Sequence, residues 1–246
     1  MNDLEGKVAI ITGASRGIGS AIAKQLADLG IKVVVNYSSS PEKAQEVVDY
    51  IIEKGGEAIA IQADIRNIAE IEKLFSETIQ NFGKLDILIN NAGVMKNTLL
   101  LDLTEEEYNR HFDINVKGTF FTCQQAMKLM ETNGRIVDFS TSVNGTMIPS
   151  YSLYAATKGA VEQITRQLSK EFAPKQITIN AIAPGPVNTE LFISGKTPEQ
   201  IEFNKNLSSF KRLGEPEDIA NAIEFLVSKK SQWMTGQTIR VNGGFN

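Results

Sequence analysis

The 246-residue sequence holds one cysteine, one histidine and one tryptophan. A single thiol, Cys123, excludes an internal disulfide and fits a reducing compartment. It lies in Thr119-Phe120-Phe121-Thr122-Cys123, an apolar setting that marks a buried thiol rather than a nucleophile. One histidine and one cysteine cannot build a Cys/His zinc centre, so no metal is expected. A serine hydrolase would need a base. The only histidine, His111, follows Glu105-Glu106-Glu107-Tyr108-Asn109-Arg110 in a helical segment, and no nucleophile-elbow motif occurs anywhere. Positive charge is also scarce: 25 Lys and Arg stand against 29 Asp and Glu, for a net charge of −4, which gives no general grip on nucleic acid. No apolar run approaches the roughly 20 residues of a membrane span. The stretch Met1-Asn2-Asp3-Leu4-Glu5-Gly6-Lys7 has neither a basic region nor an apolar core of signal-peptide type. These absences predict a cytoplasmic protein with no nucleic-acid partner and no membrane.

What is present is a regular alternation. Apolar, strand-like runs occupy residues 7–12, 31–36, 57–62, 85–89, 135–139, 177–182 and 238–241. Helix-period segments fall between them, at 17–29, 41–54, 67–82, 104–130, 151–172 and 216–227, with a short helix near 198–206. Gly30 closes the first helix, Pro41 opens the second, and Thr104 with Glu107 has the spacing of a capping box. Strands alternating with helices predict an α/β fold: a doubly wound parallel sheet of Rossmann type with helices on both faces. No linker, repeat or low-complexity stretch divides residues 1–246, so a single domain is expected. In such sheets ligands bind beyond the carboxyl ends of the strands. That rim collects residues 12–19, 36–38, 63–65, 90–93, 140–142 and 183–189.

Two motifs carry chemistry. Thr12-Gly13-Ala14-Ser15-Arg16-Gly17-Ile18-Gly19 joins the first strand to the first helix. Its glycines allow close backbone approach, and the helix start offers free N–H groups to a phosphate. The second motif is Tyr154-Ala155-Ala156-Thr157-Lys158. A tyrosine and a lysine at i and i+4 share a helix face, and a neighbouring ammonium favours the phenolate. Such a pair can give a proton to, or take one from, a carbonyl or carbinol oxygen. Either motif alone also occurs in ordinary turns and helices.

Together with Asn90-Asn91-Ala92-Gly93, Asn115, Ser140-Thr141-Ser142 and Pro184-Gly185, these motifs resemble the short-chain dehydrogenase/reductase superfamily in its compact form, over residues 7–244. The run Gly236-Gln237-Thr238-Ile239-Arg240-Val241-Asn242-Gly243-Gly244 is similar to the branch of 3-oxoacyl-carrier-protein and polyhydroxynaphthalene reductases.

The resemblance implies roles. Tyr154 donates the proton during reduction, and Lys158 lowers the pKa of Tyr154 and holds the nicotinamide ribose. Asn115 holds a water in the proton relay, and a serine binds the substrate oxygen. Counting back from Tyr154 by the family's usual spacing reaches Thr141, whereas matching Ser142-Val143-Asn144-Gly145 to the family's serine segment gives Ser142. Ser142 is the preferred choice, with Thr141 as the alternative.

The resemblance also implies a cofactor floor of Gly13, Ser15, Arg16, Gly17, Ile18 and Gly19. Asp64 and Ile65 would flank the adenine, and Asn91, Ala92 and Gly93 the adenosine ribose. Pro184, Gly185, Val187 and Thr189 would hold the nicotinamide. The second strand ends Asn36-Tyr37-Ser38 without the carboxylate that holds a free ribose diol. Asn36 and Ser38 can bond a phosphate, Tyr37 can cover the adenine side and Arg16 supplies charge, so NADP(H) is expected. On the substrate side, Leu191, Phe192, Ile193, Phe203, Met95, Val143, Ile148 and Tyr151 can line a pocket. The segment before the fifth strand is poor in cations, with Lys175 as a remaining contact for a carrier protein. A small free carbonyl compound is therefore preferred as substrate over a 3-oxoacyl thioester, and a non-catalytic NADP sensor is more remote. A homotetramer is implied by the resemblance.

Overall fold

Strand β1 (Val8–Ile11) is buried at every position, which is where a Val-Ala-Ile-Ile run belongs when strands flank it on both sides. This computed structural model describes residues 3–246. After β1 come α1 (Gly17–Asp28), β2 (Lys32–Tyr37), α2 (Pro41–Glu53), β3 (Ala58–Gln62), α3 (Ile68–Phe82) and β4 (Ile87–Asn90). Then follow α4 (Glu105–Phe112), α5 (Thr119–Leu129), β5 (Arg135–Phe139), α6 (Ser152–Phe172) and β6 (Thr178–Pro184). The chain finishes with α7 (Glu190–Ile193), α8 (Pro198–Leu207), α9 (Pro216–Val227) and β7 (Thr238–Val241).

The strands pair in the order β3-β2-β1-β4-β5-β6-β7, every pair parallel. Successive strands run outward from β1 one way, and then the chain crosses to β4 and runs the other way. A crevice opens at that reversal, between the loops after β1 and β4. Side chains of α1, α2 and α9, including Ile22, Leu26, Val47 and Ile223, fill one face of the sheet. The other face packs Leu74 and Phe75 of α3, Cys123 of α5 and Phe172 of α6. Local chemistry sets the helix ends. Asn67 accepts from the Ala69 N–H at 3.0 Å to start α3, and Gly83 stops it in the left-handed region at φ 80°.

The expected helix over residues 104–130 is not continuous. Between α4 and α5, residues Asp113–Gly118 form a wider π turn. Tertiary contacts account for it. A side chain at Gly118 would come within 2.6 Å of Ile65 Cδ1, and the Asn115 amide is drawn sideways to the backbone of Val94.

Candidate active site

The crevice is closed from below by two turns that lock together. Asn91 Nδ2 donates to the carbonyls of Thr12 (2.8 Å) and Gly13 (3.1 Å), and the Ala92 N–H donates to Thr12 Oγ1 at 3.0 Å. The fit leaves no room for a side chain at Gly13 or Gly19. A Cβ on Gly19 would lie 2.6 Å from Asn91 Nδ2 and 2.6 Å from the Gly13 carbonyl. At the start of α1 no side chain caps the first turn and no carboxylate sits in it, so its amides stay available to an anion. Arg16 occupies the N-cap position there, and Ser15, Gly17 and Ile18 complete the turn. The guanidinium of Arg16 pairs with Glu190 Oε2 at 3.4 Å. Lys43 Nζ, from the first turn of α2, reaches the same oxygen at 3.4 Å. Lys43 was missed in the sequence reading. Its only signal was a cation just past Ser38-Ser39-Ser40 on the same rim.

Not every rim residue faces the crevice. Asn36 is buried, with Oδ1 accepting from the Gly13 N–H (3.3 Å) and Nδ2 donating to the carbonyls of Ile61 (3.3 Å) and Ala63 (3.1 Å). It braces the ends of β1, β2 and β3, and its amide is not presented to a phosphate. Tyr37 packs against the core and Ser38 is exposed. Asp64 holds Arg66 in a pair at 2.6 Å, and that hydrogen bond keeps its carboxyl below the ordinary range. Ile65 is buried against Gly118.

The reacting groups come from β5 and α6. Lys158 Nζ donates to the Phe139 carbonyl at 2.7 Å and lies 5.9 Å from the ring centroid of Tyr154. Thr141 caps the short turn Ser142–Gly145, its Oγ1 accepting from the Val143 N–H at 3.3 Å. The same hydroxyl lies close enough to the phenol of Tyr154 to pull it down from the value burial would give it. Ser142 is oriented otherwise. Its hydroxyl donates to the Ala183 carbonyl at 2.9 Å and accepts from Asn242 Nδ2 at 3.0 Å. Both hydroxyls line the same cavity as Tyr154, and Thr141 is the one that acts on the phenol.

Burial dominates the electrostatics. Desolvation pushes the Tyr154 phenol up to about 12, with the Thr141 hydroxyl pulling it back and Tyr151 adding to the rise. The direction is opposite to the lowering expected from a Tyr-Lys pair. Desolvation also brings Lys158 down to about 8, and the carboxylate of Asp138 pulls it back up. Asn115 sits in the π turn and clamps the site from the side. Its Oδ1 accepts from the Val94 N–H (2.9 Å), and its Nδ2 donates to the Val94 carbonyl (3.0 Å) and Thr157 Oγ1 (3.0 Å). A Cβ on Gly93 would meet Asn115 Oδ1 at 3.2 Å and Lys158 Nζ at 3.4 Å, so the glycine lets the loop pass over both.

Tyr154, Thr141, Ser142 and Lys158 form the polar wall of a cavity of about 130 Å³. Pro184, Gly185, Val187 and Thr189 line its β6 side, and Ile18, Met95, Val143, Ile148, Leu191 and Phe192 supply apolar surface. The cavity opens into a vestibule of about 940 Å³ flanked by Lys96, Glu190, Lys196 and Phe203. Phe203 therefore lines the outer space only, and Ile193 lines neither. Phe245, near the end of the chain, lines the inner cavity and was not anticipated. Nothing local marks it; the tail is carried there by β7. Lys175 donates to the carbonyls of Met127 (2.9 Å) and Met130 (3.1 Å), which ties it to the end of α5. His111 is buried, bonded through Nδ1 to the Glu107 carbonyl (2.8 Å) while Nε2 accepts from the Lys96 N–H (3.2 Å). It is thus a brace for the loop that carries Met95. Among the described residues no group of three His, Cys, Asp or Glu side chains could hold a metal, and no helix is long and apolar enough to cross a membrane.

Residues 13–246 match the family described as Enoyl-(Acyl carrier protein) reductase. A short chain dehydrogenase/reductase of Aspergillus novofumigatus is 42% identical, the match covering 98% of this chain and 96% of that protein. A probable tetrahydroxynaphthalene reductase of Zymoseptoria tritici is 41% identical over 98% of this chain and 94% of its own length. Among solved structures, an angucycline C-6 ketoreductase with bound NADP superimposes with a TM-score of 0.94 at 36% identity, covering 99% of this chain and 96% of that one.

Proposed function

Because the chain belongs to the short-chain dehydrogenase/reductase family of oxidoreductases, we propose that it reduces a ketone to an alcohol with NADPH. The observation that carries this reading is the convergence of Tyr154, Thr141 and Lys158 on one cavity wall beside a glycine cradle. The cradle suits a dinucleotide. Gly13 and Gly19 have no space for side chains, the α1 amides suit a diphosphate, and Arg16 and Lys43 converge where a 2′-phosphate would add charge. Arg16, Lys43 and Ser38 take the phosphate role in this reading, and Asn36 does not.

NADPH held along this rim would supply the hydride. As hydride reaches the carbonyl carbon, negative charge grows on the oxygen. Thr141 and Tyr154 meet that oxygen with hydroxyl hydrogens, the kind of preorganised donors that stabilise developing charge. Tyr154 then transfers its proton and the alcohol is complete. A phenol held near 12 is fully protonated at neutral pH and so is ready as the donor. Lys158 compensates the phenolate that remains, and Asn115 fixes the loop over the ammonium.

The substrate side supports a flat or apolar ketone. The inner cavity is narrow, with Tyr151, Phe192 and Phe245 among its walls, and the wide vestibule leaves room for a larger body behind the carbonyl. The relative named for tetrahydroxynaphthalene and the structural neighbour named as an angucycline ketoreductase favour aromatic polycyclic ketones. Lys175 is bonded within the fold, which weakens the case for docking an acidic carrier. Half-exposed Tyr108, Phe120 and Leu129 on α4 and α5 support a homotetramer, which light scattering would test.

The purified protein should oxidise NADPH when mixed with bicyclic aromatic ketones, and faster than with acetoacetyl thioester. Binding of NADPH without turnover on any ketone would reject the reductase reading in favour of a cofactor sensor.

A further inference from the structure

One ionisable group in the interior takes no part in the reaction above. Asp138 lies on β5 with its side chain fully buried. Its hydrogen-bond partners are all neutral: Asn90 Nδ2 (2.8 Å) from β4, Thr165 Oγ1 (2.7 Å) from α6 and Cys123 Sγ (3.8 Å) from α5. Cys123 is held as the thiol, because burial and the neighbouring carboxylate both push it well above its ordinary range. A dry carboxylate with only neutral donors is costly, and asparagine has nearly the same shape without the charge. The charge needs a reason.

The geometry of α6 supplies one. Lys158 and Thr165 lie two turns apart on the same face of the helix. Thr165 grips the Asp138 carboxylate, and Lys158 grips the carbonyl of the next residue, Phe139, at 2.7 Å. Carboxylate and ammonium therefore lie in the same narrow, dry layer between β5 and α6. Lys158 is itself buried, and its field and that of Asp138 oppose the desolvation of each other. The other carboxylate on this stretch of α6, Glu162, is turned away to Ser140 (2.5 Å) and Asn144 (2.9 Å) on the loop after β5. The titratable groups facing Asp138 are thus Cys123, which is neutral, and Lys158.

We propose that Asp138 is the buried counter-charge of Lys158, a positioning residue that keeps the ammonium charged beneath Tyr154. The proposal rests on the reading of Tyr154 as the proton-transferring group. It acts on the chemistry in one direction. With the counter-charge removed, Lys158 loses its proton at lower pH, the phenolate of Tyr154 loses its compensating cation, and the phenol ionises at higher pH.

The test is Asp138→Asn, read in two ways. Protein labelled with carbon-13 at lysine Cε, with the Lys158 signal assigned by Lys158→Arg, gives the titration of the ammonium directly. The expected midpoint falls by about half a pH unit or more, about a threefold change in the charged-to-neutral ratio at fixed pH. The rate of alcohol oxidation with NADP+, which needs the phenolate, should rise with pH along a curve displaced to higher pH by a similar amount. A purely structural role would change stability and leave both curves in place, and that result overturns the proposal. Thr165→Val, which takes one donor from the carboxylate, should move both curves in the same direction by less, and it decides the matter if Asp138→Asn does not fold. A shifted Lys158 titration in a protein with no turnover on any substrate upholds the pairing and rejects the reductase reading. Intact turnover with an unmoved Lys158 titration rejects the pairing alone.

Discussion

Removing the two hydroxyls after β5 one at a time should give opposite kinds of damage. Thr141→Val deletes the hydroxyl that pulls down the Tyr154 phenol. A donor aimed at developing charge is worth about 10²–10³ in kcat, roughly 3–4 kcal/mol. The same change takes the acceptor from the Val143 N–H at 3.3 Å, a capping loss of about 1 kcal/mol of stability. Ser142→Ala removes a different pair of bonds, to the Ala183 carbonyl at 2.9 Å and from Asn242 Nδ2 at 3.0 Å. Ser142 is buried, so these partners lose a bond where water does not easily replace it, at about 1–3 kcal/mol. A chain of this length loses roughly 2–4 °C of Tm per kcal/mol. Ser142→Ala should therefore melt about 2–12 °C lower while keeping kcat within a few-fold. Thr141→Val should melt only slightly lower and lose two to three orders of magnitude in kcat. Thr141→Ser should recover most of that rate. The assay is initial-rate reduction of an aromatic ketone by NADPH beside a thermal melt of each variant. The opposite pattern, with Ser142→Ala inactive and Thr141→Val active, would refute the assignment of the hydroxyl to Thr141.

Three further perturbations follow from charge placement. Arg16→Ala should weaken NADP+ binding about 10- to 100-fold and leave NAD+ binding nearly unchanged, since a charged hydrogen bond is worth about 1.5–3 kcal/mol. Glu190→Gln frees both Arg16 and Lys43 from an exposed carboxylate and should tighten NADP+ up to about fivefold; fluorescence titration of the protein measures both, and equal effects on the two nucleotides would contradict the phosphate site. Asp138→Asn should change stability as well as the pH profile. Burial first, against the neutral donors around it, raises the Asp138 carboxyl from 3.8 to about 6. A raised carboxyl favours the fold while it is protonated, so its contribution is full below 3.8 and is lost as pH rises through about 6. About two pH units correspond to about 3 kcal/mol. The variant should match wild type near pH 4 and exceed it by about 3 kcal/mol at pH 7 in urea unfolding; a gap that does not widen with pH would remove the basis for this reading.

Much of this protein is legible along the chain because the relevant physics is local. Short β-branched runs separated by amphipathic segments have few packing solutions, and all seven strands form one parallel sheet in the expected class. The glycine turn and the Tyr154–Lys158 pair are also local, since a tight turn and a helix face fix their geometry by spacing alone. The π turn was not legible, because Ile65 and Val94 impose it from distant parts of the chain.

Charge state and side-chain direction were decided only in three dimensions. Asn36 stands at the end of β2 as expected, yet three strand ends turn its amide inward. Ser142 and Thr141 are adjacent hydroxyls that spacing could not separate; Thr141 caps the turn at Val143 and acts on the Tyr154 phenol, while the Ser142 hydroxyl is taken up by Ala183 and Asn242. Sequence spacing says that an ammonium lies near a phenol and predicts a lowered phenol. Only the packed interior sets how much water each group has lost, and that loss outweighs the pairing and raises Tyr154 instead. By itself, then, the sequence determined which elements form and which residues reach the rim, because those follow from periodicity. The tertiary structure decided which of those residues face the cavity and which charges they hold, because desolvation and hydrogen-bond partners come from parts of the chain far away in sequence.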